Sequence, residues 1–487
     1  MRFSFLRRLS LAVWAFVPAE AALSQIPQPL TAQSDNPALS PKWQAATREI
    51  YKRAVESRTV AGAGQVPALA SYLAAKLKAS GWAPGDVRVV PYVSGSSDKT
   101  AALIARWRGS GGAATRPIVI LAHLDVVPAL KSDWSTDPFT LIEKDGYFYG
   151  RGTSDDKQGA VAAMVALEKL RAEGFRPVRD VILLFTGDEE TNGRGAELAA
   201  TEWRKWIGTP EMALNADEGD CNFAPDGRPL GCRIQTAEKT YQSYTFTVRN
   251  PGGHSSKPRP DNAIYDLADA LKRLQSYRFT PVFNPTTHAY FEARAAQEGD
   301  SPLGRAMRAW LANPADGAAA DAIEADPDEV GYSRTRCVAT MLKAGQADNA
   351  LPQLAQAVVN CRIMPGVAPA VIRDELQSIA GGKVEVALYG DPGSPTPASP
   401  LRPDVVNAFT RSVHRLYPGQ PVIPYMSTGA TDSVPFRAAG VPAYGVNGKW
   451  WVSPTDEREH GKDERLPVKA LWNNVVHWES LIRDLAG

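Results

Sequence analysis

The sequence predicts an α/β fold built on a doubly wound sheet, and three features support this prediction. Continuous apolar runs at residues 118–122, 181–185 and 212–214 are typical of strands that are buried on both faces. Helical periodicity separates two of them, over residues 157–174. Each run ends in polar residues, at the edge where open α/β sheets bind ligands. Alternation of this kind implies a mostly parallel sheet with helices on both faces.

Local signals justify the elements of this first domain in turn. We predict helices at residues 42–57, 66–80 and 157–174, and strands at residues 86–93, 100–106, 118–122, 147–149, 181–185 and 212–215. Pro41 after Ser40 suits the first turn of the first helix, and Gly81 suits the end of the second. Pro128 keeps the strand before it from continuing as a central strand.

From about residue 240 a different element order predicts a second, smaller domain. Strands at residues 241–249, 335–343, 356–363 and 383–389 and helices at residues 262–276 and 369–379 give the order β-α-β-β-α-β of a ferredoxin-like module. Residues 280–332, rich in Ala, Asp and Pro, interrupt this order as an insertion with helices of its own. We therefore predict one domain at residues 41–239 and 391–487, with a second domain inserted at residues 240–390.

Composition excludes some partners. Lys and Arg total 54 against 53 Asp and Glu, a formal net charge of +1, and 44% of the residues are hydrophobic. This balance is that of an ordinary globular protein. It argues against nucleic acid or an anionic membrane as a partner.

The N-terminus predicts export. Arginines precede an apolar run at residues 9–17, and Ala19-Glu20-Ala21 offers a cleavage site, so we interpret residues 1–24 as a signal peptide and residues 25–40 as a linker. An uncleaved anchor is the alternative. We expect a periplasmic or secreted protein.

In an oxidising compartment the four cysteines suit two disulfides, Cys221–Cys232 and Cys337–Cys361. The sequence alone permits three pairings, and buried free thiols are the alternative.

Acidic and histidine-containing clusters follow the predicted strands. They are His123-Leu124-Asp125, Asp155-Asp156-Lys157, Asp188-Glu189-Glu190, Asp217-Glu218 and Glu459-His460-Gly461-Lys462-Asp463-Glu464. Each alone could be a solvated loop. His123 and Asp125 are two residues apart and share a face if extended, so the carboxylate can hold the tautomer of a metal-ligating imidazole.

In combination these motifs resemble those of the two-zinc peptidases and deacylases that include carboxypeptidase S, aminoacylase, acetylornithine deacetylase, succinyl-diaminopimelate desuccinylase and carnosine dipeptidases. The motifs are His-x-Asp-Val-Val-Pro, Gly-Arg-Gly-x-x-Asp-x-Lys, Gly-Asp-Glu-Glu, Gly-Gly-His-Ser-Ser, Arg-x-x-Pro-Gly, Gly-x-Thr-Asp and a late His-Gly. The resemblance extends from about residue 40 to the end. It implies a zinc-exopeptidase-like doubly wound mixed sheet with an inserted ferredoxin-like α+β lid and dimerisation domain.

The resemblance also implies a site with two Zn²⁺ ions, which Co²⁺ or Mn²⁺ can replace. The implied ligands are His123 and Asp217 for one ion, Glu190 and His460 for the other, and Asp155 between them. Asp155 is chosen over Asp156 because it stands two residues before Lys157. Asp125 would orient His123, and Glu189 would be the general base.

Further residues are implied to contact the substrate. His254 would reach the substrate carbonyl, often from the partner subunit of a dimer, and Arg362 offers a bidentate fork for a substrate carboxylate. Asn349, Thr431 and Asp432 would line the cleft. The alternatives are a surface turn for His254 and an ordinary salt bridge for Arg362.

The sequence thus predicts an exported di-zinc metallopeptidase of carboxypeptidase or dipeptidase type, acting on a small peptide next to its free carboxylate. An N-acyl-amino-acid deacylase is the alternative. A catalytically inactive binding protein is more remote, because the implied ligands and the base are all present. The insertion at residues 280–332 could cover the lid surface that smaller relatives use to form a homodimer.

Overall fold

The computed structural model describes residues 38–390 and 393–487. The predicted signal peptide and most of the linker lie outside the described residues. None of the described helices is long and apolar enough to cross a membrane.

The first part of the chain alternates helices and strands. Its elements are α1 (Pro41–Glu56), α2 (Val66–Ala79), β1 (Val87–Ser94), β2 (Asp98–Trp107), β3 (Ile118–His123), β4 (Ile142–Lys144), β5 (Tyr147–Tyr149), α3 (Lys157–Ala172), β6 (Val181–Thr186), α4 (Arg194–Ala200), α5 (Arg204–Ile207), β7 (Met212–Asn215), β8 (Asp220–Phe223) and β9 (Pro229–Glu238).

The middle part is built differently. Its elements are β10 (Thr240–Arg249), β11 (Gly253–His254), α6 (Ala263–Ser276), α7 (Pro285–Glu298), α8 (Pro302–Ala312), α9 (Gly317–Ile323), β12 (Arg336–Ala344), β13 (Ala350–Leu351), β14 (Leu354–Ile363), α10 (Pro369–Ala380) and β15 (Glu385–Tyr389).

The last part returns to the first sheet. Its elements are α11 (Pro403–Leu416), β16 (Val422–Ser427), α12 (Ser433–Ala438), β17 (Ala443–Gly445), β18 (Trp450–Val452), β19 (Arg465–Pro467) and α13 (Val468–Ala486).

A mixed sheet of ten strands organises the first and last parts, in the order β1-β2-β6-β3-β7-β17-β9-β8-β18 with β16 beside β9. Its centre is parallel, since β3 pairs with β6 and β7, and β7 with β17, in that sense. Every residue of β3 and β6 is buried, which explains their uninterrupted apolar sequences. One face packs on α1, α2, α3, α11 and α13, and the other on α4, α5 and α12. The predicted α/β class with a doubly wound mixed sheet is confirmed.

A second, antiparallel sheet, which we call the lid sheet, has the order β12-β14-β10-β15. Helices α6 and α10 cover one face, where Tyr244 and Phe246 of β10 pack with Leu267 and Leu376. Without the inserted α7–α9 and the short pair β11–β13, the elements follow the order β-α-β-β-α-β. The strand β12 is an edge of this sheet.

The inserted helices α7–α9 pack on the large sheet. Phe291 and Trp310 share an apolar cluster with Ile423 and Tyr425 of β16. The insertion thus packs on β16, and the expectation that it could cover the lid surface stays a prediction. Leu342 at the β12 edge remains 64% exposed.

The structure forms two disulfides in the predicted pairing. Cys221–Cys232 joins β8 to β9, and Cys337–Cys361 joins β12 to β14.

Candidate metal-binding active site

Neighbouring strands deliver most of the predicted metal ligands to one edge of the large sheet. His123 is the last residue of β3, Glu190 follows β6, and Asp217 follows β7. Since β3 pairs in parallel with both β6 and β7, the three side chains emerge side by side. Asp155 comes from the turn before α3, and His460 from the loop before β19.

Asp155 lies between two imidazoles. Its Oδ1 atom is 2.8 Å from Nε2 of His123, and its Oδ2 atom is 3.1 Å from Nε2 of His460. Nε2 of His460 is also 2.9 Å from a carboxylate oxygen of Glu190, and Nε2 of His123 is 3.7 Å from Asp217. The structure thus brings the five residues into one cluster, with Asp155 shared.

This cluster attracts positive charge. Burial opposes protonation of His123, but three neighbouring carboxylates raise its pKa well above the ordinary value. Hydrogen bonds to Asp155 and Glu190 raise the pKa of His460 to about 10. Two sets of three residues could each hold a cation, because the possible ligand atoms within each set lie within 4.8 Å of one another. The sets are His123, Asp156 and Asp217, and His123, Asp155 and Glu190. Nitrogen and carboxylate donors at these spacings fit divalent cations such as Zn²⁺.

The structure adds Asp156, to which the sequence assigned no role. Asp156 forms one of these sets with His123 and Asp217. It is fully buried, and within the described chain its Oδ2 atom has no hydrogen-bond partner. The sequence signal that could have identified Asp156 was its position next to Asp155, since both side chains point at the same cluster.

Asp125 supports both His123 and the turn after β6. A carboxylate oxygen lies 3.6 Å from Nδ1 of His123, and this Nδ1 lies 3.1 Å from the backbone carbonyl oxygen of Asp125. The same carboxylate accepts the backbone N–H groups of Glu189 at 3.2 Å and Glu190 at 3.1 Å. It therefore fixes the histidine relative to both glutamates.

Asp188, the first acid of that turn, is an internal anchor. It accepts the Tyr92 hydroxyl at 2.6 Å and the backbone N–H groups of Arg194 at 2.8 Å and Gly195 at 3.0 Å. Its carboxylate therefore holds the turn to the start of α4.

Glu189 faces a cavity of about 460 Å³ that opens beside the cluster. Burial, with the charges of Asp217 and Asp432, raises its pKa well above the ordinary value. A carboxylate with a raised pKa is a stronger base, as proton transfer near neutral pH requires.

A buried ion pair between Arg151 and Glu464, which the sequence analysis did not predict, joins the loop of Asp155 to the loop of His460. Glu464 accepts the Arg151 guanidinium at 2.7 Å and the backbone N–H groups of Ser154 at 2.7 Å and Asp155 at 3.1 Å. Arg151 also donates to the backbone carbonyl of His460 at 3.2 Å. His460 has a φ of 61°, a left-handed conformation that a non-glycine residue needs its surroundings to hold. The separation of these partners along the chain left no local signal.

The predicted lid residues lie outside this cavity. His254 is exposed in β11, with the Ser256 hydroxyl 2.8 Å from Nδ1, and Asn349 accepts the Ser255 N–H through its backbone carbonyl. Arg362 comes nearer, because its guanidinium donates to the carbonyl of Thr428 at 3.3 Å, just before the turn that holds Thr431. His254 does not line the cavity that Glu189 faces.

Thr431 lines the cavity, but its hydroxyl is engaged. It donates to Glu238 at 2.6 Å and accepts from the Asn215 side chain at 3.0 Å. Asp432 is buried, accepts from the Thr186 hydroxyl and does not line the cavity. Thr431 thus presents its backbone and methyl group, and Asp432 supports the site from behind.

Comparison with known proteins identifies the fold and family. Residues 119–484 match the model described as Peptidase family M20/M25/M40. The chain is 30% identical over 375 residues to N-fatty-acyl-amino acid synthase/hydrolase PM20D1 of Xenopus tropicalis, covering 76% of this chain and 72% of that protein. It is 27% identical to Probable carboxypeptidase S-like 2 of Dictyostelium discoideum, covering 78% and 74%.

A similar fold occurs in the solved M20 family metallo-carboxypeptidase Sso-CP2 from Sulfolobus solfataricus. The TM-score is 0.62 at 18% identity, covering 90% of this chain and 98% of that one. The family match extends from β3, which carries His123, into α13. The chain belongs to peptidase family M20/M25/M40 and is a hydrolase of peptide or amide bonds.

Proposed function

We propose that this protein is an exported two-metal exopeptidase that cleaves a peptide bond next to a free carboxylate. The observation that carries the proposal is the placement of Asp155 between the imidazoles of His123 and His460, beside the cavity-facing Glu189. The carboxypeptidase names of one relative and one solved structure support it.

The proposed metals are two Zn²⁺ ions, with Co²⁺ or Mn²⁺ able to replace them. His123 and Asp217 would hold one ion, Glu190 and His460 the other, and Asp155 both. When bound, such a pair of ions supplies Lewis-acid activation of water and of the scissile carbonyl.

The side chains around the ions hold the substrate and move protons. Glu189 accepts a proton from the attacking water and returns it to the leaving amine, a task for which its raised pKa suits it. Arg362 binds the substrate carboxylate through its planar fork. His254 of the partner subunit donates to the carbonyl oxygen, on which negative charge develops in the transition state.

The proposed partner is a second copy of this chain, bound through the lid. Val338, Met341 and Leu342 on the β12 edge are each at least 60% exposed, and Tyr265 of the covering helix α6 is 66% exposed. An open strand edge with apolar neighbours favours association.

Export remains part of the proposal, on the signal-like residues 1–24. Two disulfides suit an oxidising compartment. N-terminal sequencing of the protein recovered from the periplasm or medium tests the cleavage site.

A second candidate is an N-acyl-amino-acid hydrolase. The 30% identity to a relative named N-fatty-acyl-amino acid synthase/hydrolase favours it. The same metals, Glu189 and Arg362 would serve both reactions, which differ only on the acyl side of the bond.

The test uses the purified protein, metal analysis and matched substrate panels. We expect about two Zn²⁺ per chain, chelator-sensitive hydrolysis, and strong preference for a free over an amidated C-terminus. Dipeptides compared with N-acetyl amino acids separate the two candidates. Bound metal without hydrolysis of either panel would identify a binding protein instead.

A further inference from the structure

The residues that line the cavity beside Glu189 indicate which acyl group the substrate has. All of its lining residues come from the parts of the chain before residue 240 and after residue 390. In the proposed function, on which this inference rests, Arg362 of the lid sheet takes the carboxylate side of the bond. The cavity is then left for the acyl side.

One wall of the cavity is a fixed pair of charges. Asp220 on β8 accepts two hydrogen bonds from Arg233 on β9, at 2.8 and 2.6 Å, and the two residues are cross-strand partners. The next pair along the hairpin is Cys221 and Cys232, which form a disulfide. The hairpin therefore presents a rigid, neutral, polar surface.

The strand beside this hairpin, β18, pairs with β8 and is also charged at its start. Lys449 donates to Glu459 at 2.7 Å and to the backbone carbonyl of Ser154 at 3.1 Å. Trp451 of this strand lines the cavity, and its buried indole N–H has no hydrogen-bond partner among the residues that the structure describes.

Two carboxylates that line the cavity beyond the metal cluster form no salt bridge with any residue that the structure describes. Glu457 is exposed and accepts from the Ser453 hydroxyl, and Glu218 accepts from the Tyr425 hydroxyl. Beyond the metal cluster, the uncharged residues of the described chain that line the cavity are Gly219, Ala430, Thr431 and Trp451. Most small-molecule pockets are instead lined mainly by apolar side chains.

We infer that this cavity is the acyl-side subsite and that it selects a short aminoacyl group with a free ammonium over an alkyl chain. The ammonium pairs with the carboxylates of Glu457 and Glu218, which line the cavity. A long alkyl chain would strip water from these charges and give them no hydrogen bonds in return. The inference favours the exopeptidase over a fatty-acyl hydrolase.

The test compares Ala-Phe, N-acetyl-Ala-Phe and N-oleoyl-Phe, with kcat/KM measured as release of Phe. The first two differ in one positive charge and share the scissile bond. We expect kcat/KM for Ala-Phe to exceed that for N-acetyl-Ala-Phe by about 10-fold, because only Ala-Phe has an ammonium that forms a charge pair. We expect it to exceed kcat/KM for N-oleoyl-Phe by about 100-fold, because the alkyl chain desolvates the charges of the cavity.

A variant tests the carboxylate. Glu457→Gln should lower the ratio between Ala-Phe and N-acetyl-Ala-Phe by about 3- to 10-fold and leave N-acetyl-Ala-Phe unchanged. Glu292→Gln, at a 72% exposed carboxylate of α7, is the control and should change neither substrate.

Preference for N-oleoyl-Phe would overturn this inference and leave amide hydrolysis at the metal site intact. An equal loss on both Ala substrates in Glu457→Gln would also overturn it. Hydrolysis of none of the three by protein with its metals bound would overturn the proposed function together with the inference.

Discussion

The metal cluster and the lid differ in how their functional residues are placed. At the cluster, His123, Glu190 and Asp217 follow adjacent parallel strands, so the hydrogen-bonded register of the sheet fixes their spacing. In the lid, His254 sits exposed on a two-residue strand, and Arg362 reaches the other part of the chain through a single hydrogen bond to Thr428.

The metal cluster and the lid residues are therefore held in place by different means. The cluster is complete within one chain, because sheet topology and buried hydrogen bonds hold it. The lid residues depend on how the lid meets the cleft and, in our proposal, on a second chain. Removing a cluster residue should therefore act within each chain, whereas removing a lid residue should be repairable in trans.

The largest effect should come from the base. Glu189→Gln removes the proton acceptor and should lower kcat by about 10³-fold, with metal content unchanged. Glu190→Gln is the paired variant, because it should lose both activity and metal. Activity assays with elemental analysis of both proteins check this, and metal loss in Glu189→Gln would make that residue a ligand.

The lid histidine tests placement in trans. His254→Ala should lower kcat by about 10²-fold through loss of a donor to the developing negative charge. Mixing this variant with Glu189→Gln should restore activity, because a hybrid dimer holds one site with both groups intact. Light scattering reports the dimer, and a mixture no more active than its components would show that His254 does not act across the dimer.

Supporting residues of the cluster should act on metal affinity. Glu464→Gln weakens the hold on Asp155 and on the loop of His460, and should weaken metal binding by about 10- to 100-fold in chelator competition. Glu329→Gln is the matched control, since Glu329 forms a buried ion pair with Arg294 at 3.0 Å in the inserted segment. Equal metal affinity in both variants would show that Glu464 serves only folding.

The buried His477 and the partly exposed His460 differ in the direction of their pKa shifts. Burial lowers the pKa of His477 to about 4, whereas carboxylates raise that of His460 to about 10. Below about pH 6.5 the unfolded state takes up a proton at His477 that the folded state refuses, so stability falls as the pH drops toward 4. We expect His477 to contribute a loss of about 2 kcal/mol in unfolding free energy between pH 7 and 5.

Urea unfolding at both pH values checks this, with His477→Gln as the comparison. The variant should lose that part of the pH dependence, whatever its absolute stability. An unchanged dependence would mean that other groups cause it.

Local sequence predicted the strands of the sheet, because each apolar run specifies a strand, whereas the ligand set came from the resemblance to the two-zinc peptidases. Asp155 and His460 do not stand at the ends of strands of the large sheet. The sequence did not predict the Arg151–Glu464 pair, whose partners are 313 residues apart and meet only in the fold. It identified His254 and Arg362 as motif residues but not their positions, since these depend on contacts between domains. It also assigned Asp432 to the cleft, where the structure buries it behind Thr186.

The smallest effect should come from the carboxylate fork of the lid. Arg362→Lys keeps the charge but loses bidentate geometry, so KM for a dipeptide should rise by about 10-fold while kcat changes little. Arg336 is the cross-strand neighbour of Arg362 and is paired with Glu324 at 3.1 Å, which makes Arg336→Lys the matched control. The same dipeptide with an amidated C-terminus should not distinguish wild type from Arg362→Lys, because the group that the fork recognises is gone. Equal losses on the free and amidated substrates would mean that Arg362 holds the lid against Thr428 and does not bind the substrate carboxylate. The lid would then be positioned, like the cluster, by contacts within one chain.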